Sequence, residues 1–275
     1  LRMVGHFELL DKIVGMRNII AHEYGEIDHE IVWGVVTNRV PELLLVLEEL
    51  VAEATRMGLV TDHLYRSDDL PTDVYMAIEG ANGLIAAIAD AHSLEASGDK
   101  ILRPLTDGRL GSLDSPYKGT VALDGNLTED LLQTIATSPL FVNADLRVAP
   151  ASPGKAARLL ALMDHPTATI YVNLEEAGLL CQTTYETSSE GAAGLLKRGA
   201  HRVLVTDGGN AAAEGTAGDI ITHTPPAVMV TRVTGAGDTF MAAHIASEAQ
   251  GMDRASALTR ASNAAATYVS GETPL

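Results

Sequence analysis

No apolar run in this 275-residue sequence approaches the roughly 20 residues that a bilayer-spanning helix needs. The opening residues lack the charged-then-apolar pattern of a signal sequence. Cysteine is nearly absent: Cys181 stands alone, has no partner for an internal disulfide and reads as core filler. These absences predict a cytoplasmic location. Basic residues are scarce, 19 against 36 acidic ones, and the formal charge of -17 repels phosphate backbones and anionic lipid, so neither nucleic acid nor membrane is an expected partner. There is no internal repeat and no low-complexity linker longer than a few residues. What is present is a 46% hydrophobic composition, enough to fill one large α/β domain or two smaller ones. With Leu1 in place of an initiator Met, the sequence is expected to be a fragment of a longer chain.

The sequence has two textures. Up to about Glu53, apolar residues recur every three or four positions (Leu9, Leu10, Ile13, Val14; Ile31, Val32, Val35; Leu43, Leu44, Val46, Leu47), which is helical periodicity. A break around Gly25 separates a first helix from a second, and Pro41 opens or kinks a third. After about Arg56, short β-rich runs alternate with Ala-rich helical ones. Strands are expected at 74–78, 84–89, 120–123, 140–143, 169–172, 202–206 and 220–223, and helices at 129–136, 153–163, 188–198, 236–250 and 254–270. Such alternation predicts a mostly parallel sheet covered on both faces, a three-layer α/β sandwich. Asn82-Gly83 between two apolar runs predicts a hairpin, a small antiparallel β flap outside the main sheet.

The sharpest local signal is Thr234-Gly-Ala-Gly-Asp-Thr239, where a β-like run meets two glycines and then a long helix. Gly235 and Gly237 let the backbone approach a ligand, and the helix start aims unpaired N–H groups at negative charge. Asp238 lies in that first helical turn, where a carboxylate beside a transferring phosphoryl group accepts a proton from an attacking hydroxyl. On the turn alone, a purely structural reading is equally good: two turn glycines and a first-turn acid.

Gly235-Ala-Gly-Asp-Thr-Phe240, just before a helix and close to the C-terminus, resembles the C-terminal signature of the PfkB family of carbohydrate and nucleoside kinases, the ribokinase-like kinases. Asn173-Leu-Glu-Glu176 resembles that family's Asn-x-x-Glu motif, which organises magnesium and the ATP phosphates. Val203-Leu-Val-Thr-Asp-Gly-Gly209 resembles the strand and turn flanking the nucleotide, and Asn263 falls where family members line the adenine pocket. The resemblance, over about residues 57–275, implies ATP and Mg2+ as cofactors, with Asp238 as catalytic base. It further implies Gly235, Ala236, Gly237, Asn173, Glu176, Thr206, Gly208 and Asn263 as nucleotide-site residues, Glu176 acting indirectly on magnesium. Within the family, Arg66-Ser-Asp-Asp-Leu-Pro-Thr-Asp-Val-Tyr75, Ala86-Ala-Ile-Ala-Asp90 and Leu123-Asp-Gly-Asn-Leu127 look most like pseudouridine kinases, which makes Asp90, Asp124 and Asn126 acceptor contacts. Polar residues at strand ends and turns are an equal reading of those three. Arg232 stands where many relatives carry an acidic or amide residue near a monovalent-cation site, a departure that argues against potassium activation.

The strand and Gly-Gly turn that usually open this family have no counterpart here. In their place, Arg17-Asn-Ile-Ile-Ala-His22-Glu-Tyr24 resembles the Arg-x4-His-x-Tyr motif of HEPN-type helical domains such as HepT toxins, where the Arg and His act on RNA. The expected organisation is a HEPN-like helical fragment over 1–55 and a kinase domain lacking its usual N-terminal segment over 56–275. The expected function is ATP-dependent phosphorylation of a sugar or nucleoside hydroxyl. A HEPN-type toxin or RNA-binding module, or a non-catalytic nucleotide-binding fragment, are the alternatives. Relatives often dimerise through the flap, and an exposed flap edge would permit a homodimer.

Overall fold

The computed structural model describes residues 52, 54–73, 75–80, 83–89 and 91–271. The helices expected before residue 51, and with them Arg17, His22 and Tyr24, lie outside the described residues, as do Asn82 and Asp90. The chain divides into two compact units, Leu1–Leu64 and Tyr65–Leu275. In the first, a helical stretch ends at Gly58, whose φ of +86° suits a residue without a Cβ. The Leu59 N–H bonds the Ala54 carbonyl and the Gly58 N–H the Thr55 carbonyl, both at 3.0 Å, a paired closure of the helix end.

The second unit opens with an antiparallel hairpin of β1 (Tyr75–Gly80) and β2 (Gly83–Ala89), which forms its own two-stranded sheet, as the flap was expected to. Helices α1 (His92–Ser97) and α2 (Arg103–Thr106) follow. The main body then alternates β3 (Thr120–Asp124), α3 (Glu129–Thr137), β4 (Asp145–Ala149), a 3-10 helix over Pro153–Leu162, β5 (Ala168–Asn173), α4 (Leu174–Cys181), α5 (Ser188–Lys197) and β6 (Arg202–Thr206). It ends with β7 (Ala212–Thr216), β8 (Asp219–His223), α6 (Ala236–Ala249) and α7 (Arg254–Ser270).

Strands β3 to β8 form one six-stranded sheet in sequence order. The pairs from β3 to β6 are parallel, and β6-β7-β8 continue antiparallel through a turn in which the Asn210 N–H bonds the Asp207 carbonyl at 2.8 Å. Strand alternation sends Leu146, Val148, Ile170, Val172, Val203 and Val205 to one face, where α3, the 3-10 helix, α4 and α5 cover them. Tyr171, Leu204 and Ala212 point to the other face and pack under Phe240 and Met241 of α6 and Leu258 and Ala261 of α7. The result is the expected three-layer α/β sandwich with a mostly parallel sheet.

Two expectations need correction. The run 140–143 is not a strand. Its Phe141 is a buried core plug while Val142 is half exposed, and the Phe141 N–H to Ser138 carbonyl bond (3.1 Å) and the Ala144 N–H to Phe141 carbonyl bond (3.0 Å) wind it into turns. The strand is the next segment, β4, which places Arg147 on the buried face. β7 was not expected at all, and it buries Glu214 completely.

These buried charges answer one another beneath α6. Arg147 bonds Asp145 and the Tyr171 hydroxyl (3.0 Å) and pairs with Glu248. Arg202 pairs with Glu214 and Glu248, both at 2.6 Å, and Arg254 reaches Glu214 at 2.9 Å. The Tyr171 hydroxyl and His244 Nδ1 are 2.8 Å apart. Burial pushes the Tyr171 phenol up to about 12, against the pull of the nearby guanidiniums.

Candidate functional site

The direction of α6 decides where Asp238 lies. His244 meets Tyr171 in the middle of β5, and Glu248, one turn later, reaches Arg202 at the start of β6. The helix therefore runs against the parallel strands, and its first turn lies at their carboxyl edge. Asp238 precedes His244 by six residues, about 9 Å along the axis. In open α/β sheets the carboxyl edge is where ligands bind, because strand ends and helix starts converge there.

Four groups of residues share that edge. Asn173 ends β5 and pairs in register with Thr206, which ends β6 one strand away, about 4.8 Å. Gly208 follows with a φ of +53° and open space around its missing Cβ. Asp124 ends β3. Gly235 caps the head of α6 at φ +90°, and Gly237 faces open space in its first turn. Asn263 is exposed on α7, five residues before Tyr268, whose hydroxyl bonds the Thr234 carbonyl and so fixes the end of α7 at the same edge.

Asn173 and Glu176 form a reciprocal cap. The Glu176 N–H donates to Asn173 Oδ1 at 2.8 Å, and the Asn173 N–H donates to Glu176 Oε2 at 2.9 Å. Two otherwise orphaned amides at the head of α4 are satisfied, a device worth about 1 kcal/mol. Burial pushes the Glu176 carboxyl up, with the Asn173 amide opposing and the neighbouring Glu175 adding to the rise.

The Asp238 carboxylate is exposed, and among the described residues it accepts no hydrogen bond and makes no ion pair. The Ala236 N–H donates to the Val233 carbonyl at 3.1 Å, and the Thr239 N–H to the Gly235 carbonyl at 2.9 Å. Among the described residues, the Gly235, Gly237 and Asp238 amides thus remain as donors at the helix head.

The acceptor candidates are tied down. Asp124 accepts from the Asn126 N–H (2.8 Å) and side-chain amide (3.0 Å), and Asn126 Oδ1 accepts from Lys155 Nζ at 2.7 Å. Arg158 donates to the Asn126 and Leu127 carbonyls and pairs with Glu95 at 2.9 Å. Gly125 is required here, since a Cβ would stand 2.8 Å from Pro150 Cα. Sequence reasoning missed Lys155 and Arg158. Their i, i+3 spacing in a segment headed by Pro153 was the available signal, because residues three apart align on one face of a 3-10 helix.

Among the described residues, no cluster of three or more His, Cys, Asp or Glu side chains could hold a metal ion. Magnesium keeps several waters and uses only one or two carboxylates beside substrate phosphates. Glu176, buried and with one oxygen on the Asn173 amide, suits the indirect contact with the ion that the resemblance implies and not ligation. An open cavity of about 470 Å³ lies at the opposite, amino-terminal edge of the strands, bordered by Asn143, Asp145, Thr167, Thr169, His201 and Arg202. None of the candidate site residues lines it.

The fold is that of the ribokinase-like kinases. A carbohydrate kinase from Agrobacterium tumefaciens superposes with a TM-score of 0.62 at 28% identity, over 79% of this chain and 68% of that one. A ribokinase from Thermotoga maritima (TM-score 0.65, 17% identity, 81% and 70% covered) and a PfkB protein from Polaromonas sp. JS666 (0.60, 16%, 82% and 76%) share the fold. Residues 48–273 match the family model for pfkB family carbohydrate kinases, and the chain belongs to that family. Residues 6–50 match the model for ribonuclease HepT-like proteins. No curated protein matches the chain. Among the described residues, no helix is long and apolar enough to cross a membrane.

Proposed function

We propose that the chain phosphorylates a hydroxyl of a sugar or nucleoside, pseudouridine being the preferred acceptor, at the expense of ATP. Family membership supports the reaction class. The observation that carries the reading is the gathering of Asn173 with Glu176, Thr206 with Gly208, and Gly235 through Asp238 on one edge of the sheet. The kinase domain would occupy 56–275 and a helical HEPN-like segment 1–55.

In this reading ATP lies across the carboxyl edge, its phosphates against the turn of Thr206 and Gly208 and its base near Asn263. Magnesium would neutralise phosphate charge when bound with the nucleotide, and Glu176 would act on it indirectly. Asp238 takes the proton from the acceptor hydroxyl as that oxygen bonds to the γ-phosphorus. The bond from phosphorus to the bridging oxygen breaks, and ADP leaves with the electron pair. The Gly235 and Gly237 amides stabilise charge on the transferring group. Asp124 and Asn126 face the acceptor, with Asp90 as a further contact. The chain's acidity suits a small neutral acceptor and not a polyanion.

The test is magnesium-dependent ATP consumption by the purified chain with pseudouridine, ribose, fructose, adenosine or no acceptor. Turnover with an acceptor and none without it is expected; ATP bound but never transferred would replace the reading with that of a non-catalytic nucleotide-binding fragment. The HepT-like match over 6–50 favours a second reading for that segment, RNA cleavage by Arg17 and His22, with Tyr24 completing the motif. RNA cleavage that vanishes in His22→Ala is its expected signature, and RNA left intact by the purified chain would dismiss it.

A further inference from the structure

Tyr268, on the last turn of α7, touches the turn that opens α6. Its hydroxyl donates to the Thr234 carbonyl at 2.8 Å. A trans peptide unit is planar, with its C=O and N–H pointing in opposite directions. Holding the Thr234 carbonyl against α7 therefore turns the Gly235 N–H away from α7, toward the open side of the turn. Gly235 is what allows the hydroxyl so close. A Cβ there would stand 2.7 Å from the Tyr268 oxygen, on a backbone already at φ +90°.

Tyr268 is itself braced. The Arg232 guanidinium lies 3.8 Å from the centre of the Tyr268 ring, a stacking cation. Arg232 Nε donates to the Tyr268 carbonyl at 2.8 Å, and the Thr231 N–H to the Val269 carbonyl at 2.8 Å. The run into the turn and the end of α7 are thus bound together beside the ring.

We propose that Tyr268, braced by Arg232, is a positioning residue that aims the Gly235 amide at the transferring phosphoryl group. The inference rests on the kinase reading above. It accounts for an arginine at position 232, since the guanidinium holds the ring that holds the turn.

The test is Tyr268→Phe in the full chain, which keeps the ring and the Arg232 stack and removes only the hydroxyl. Amide hydrogen exchange over 235–239 should accelerate roughly 3- to 10-fold, the range set by one net hydrogen bond, while exchange over 242–249 stays unchanged. With magnesium ATP and a working acceptor, kcat should fall by a similar roughly 3- to 10-fold factor at nearly constant KM for ATP. Gly235→Ala should cost less in the Tyr268→Phe background than in the parent, because the hydroxyl it collides with is gone. Unchanged exchange and kcat would overturn the proposal. Exchange rising along all of α6, with a falling Tm, would overturn it too, by making Tyr268 a general packing residue. If the parent chain transfers no phosphate, the kinase reading fails and the exchange measurement still decides whether Tyr268 holds the turn.

Discussion

Asp238→Asn is expected to lower kcat roughly 100- to 10,000-fold, the usual span for losing a general base, while magnesium-ATP binding stays nearly unchanged. The separation of the two effects follows from where the side chain stands. Asp238 is in the first turn of α6 but does not cap it, and no described residue depends on its carboxylate. Amidation removes a charge that favours the helix head, at roughly 0.3–1 kcal/mol, so folding should barely change. The phosphates would be bound by backbone amides and by the turn after β6, neither of which the substitution touches. Titration calorimetry with a non-hydrolysable ATP analogue, beside steady-state kinetics, separates the two. Parallel loss of binding and turnover would show that Asp238 shapes the turn and does no proton chemistry.

Glu214→Ala is expected to destabilise the second unit by about 3–5 kcal/mol, because it breaks a buried ion-pair cluster and leaves Arg202 with Glu248 and Arg254 with Asp219, 3.5 Å away. For a domain of this size that is a fall in Tm of roughly 6–20 °C. Glu214 is fully buried in β7 and receives Arg202 at 2.6 Å and Arg254 at 2.9 Å. Burial alone would raise its carboxyl, but the His244 imidazole and the two guanidiniums reverse that and bring it from 4.5 down to about 2. His244 Nε2 stands 3.5 Å from Glu214 Oε2, long for a hydrogen bond, so the guanidiniums dominate. A folded carboxyl below its unfolded value means that the unfolded chain binds the proton first as pH falls. The stabilisation is therefore complete above about pH 5 and is lost between there and about pH 2. Glu248 is lowered in the same sense, burial again opposing and Arg202 and Arg147 prevailing. Glu214→Ala should accordingly flatten, without abolishing, the acid slope of Tm. An unchanged Tm at neutral pH would mean that the network contributes nothing beyond packing.

The same network explains what the sequence hid. β5 and β6 were legible because Thr169-Ile-Tyr-Val and Arg202-Val-Leu-Val-Thr are β-branched, apolar and flanked by helical runs. β4 was concealed by its charges. Asp145 and Arg147 alternate with Leu146 and Val148, and besides Asp145 the partners that make a buried arginine acceptable there, Tyr171 and Glu248, are distant in sequence. β7, Ala-Ala-Glu-Gly-Thr, carries little strand propensity and becomes a strand because Arg202 and Arg254 meet Glu214. α4 was passed over for its motif. Asn173 and Glu176 were read as phosphate-site residues, and the reciprocal cap that starts a helix at that spot went unnoticed. The Thr234–Thr239 turn was legible because its chemistry is local, glycines followed at once by a helix. The contacts of Tyr268 and Lys155 were not, since each reaches about 30 residues along the chain to its partner.

The most direct test of the central claim is transfer of the labelled γ-phosphoryl group of ATP to an acceptor, followed with the parent chain and Asp238→Asn side by side. The account predicts a phosphorylated sugar or nucleoside from the parent and almost none from the variant, with ATP bound by both. Label released only as free phosphate, or the same acceptor product from both proteins, would contradict it.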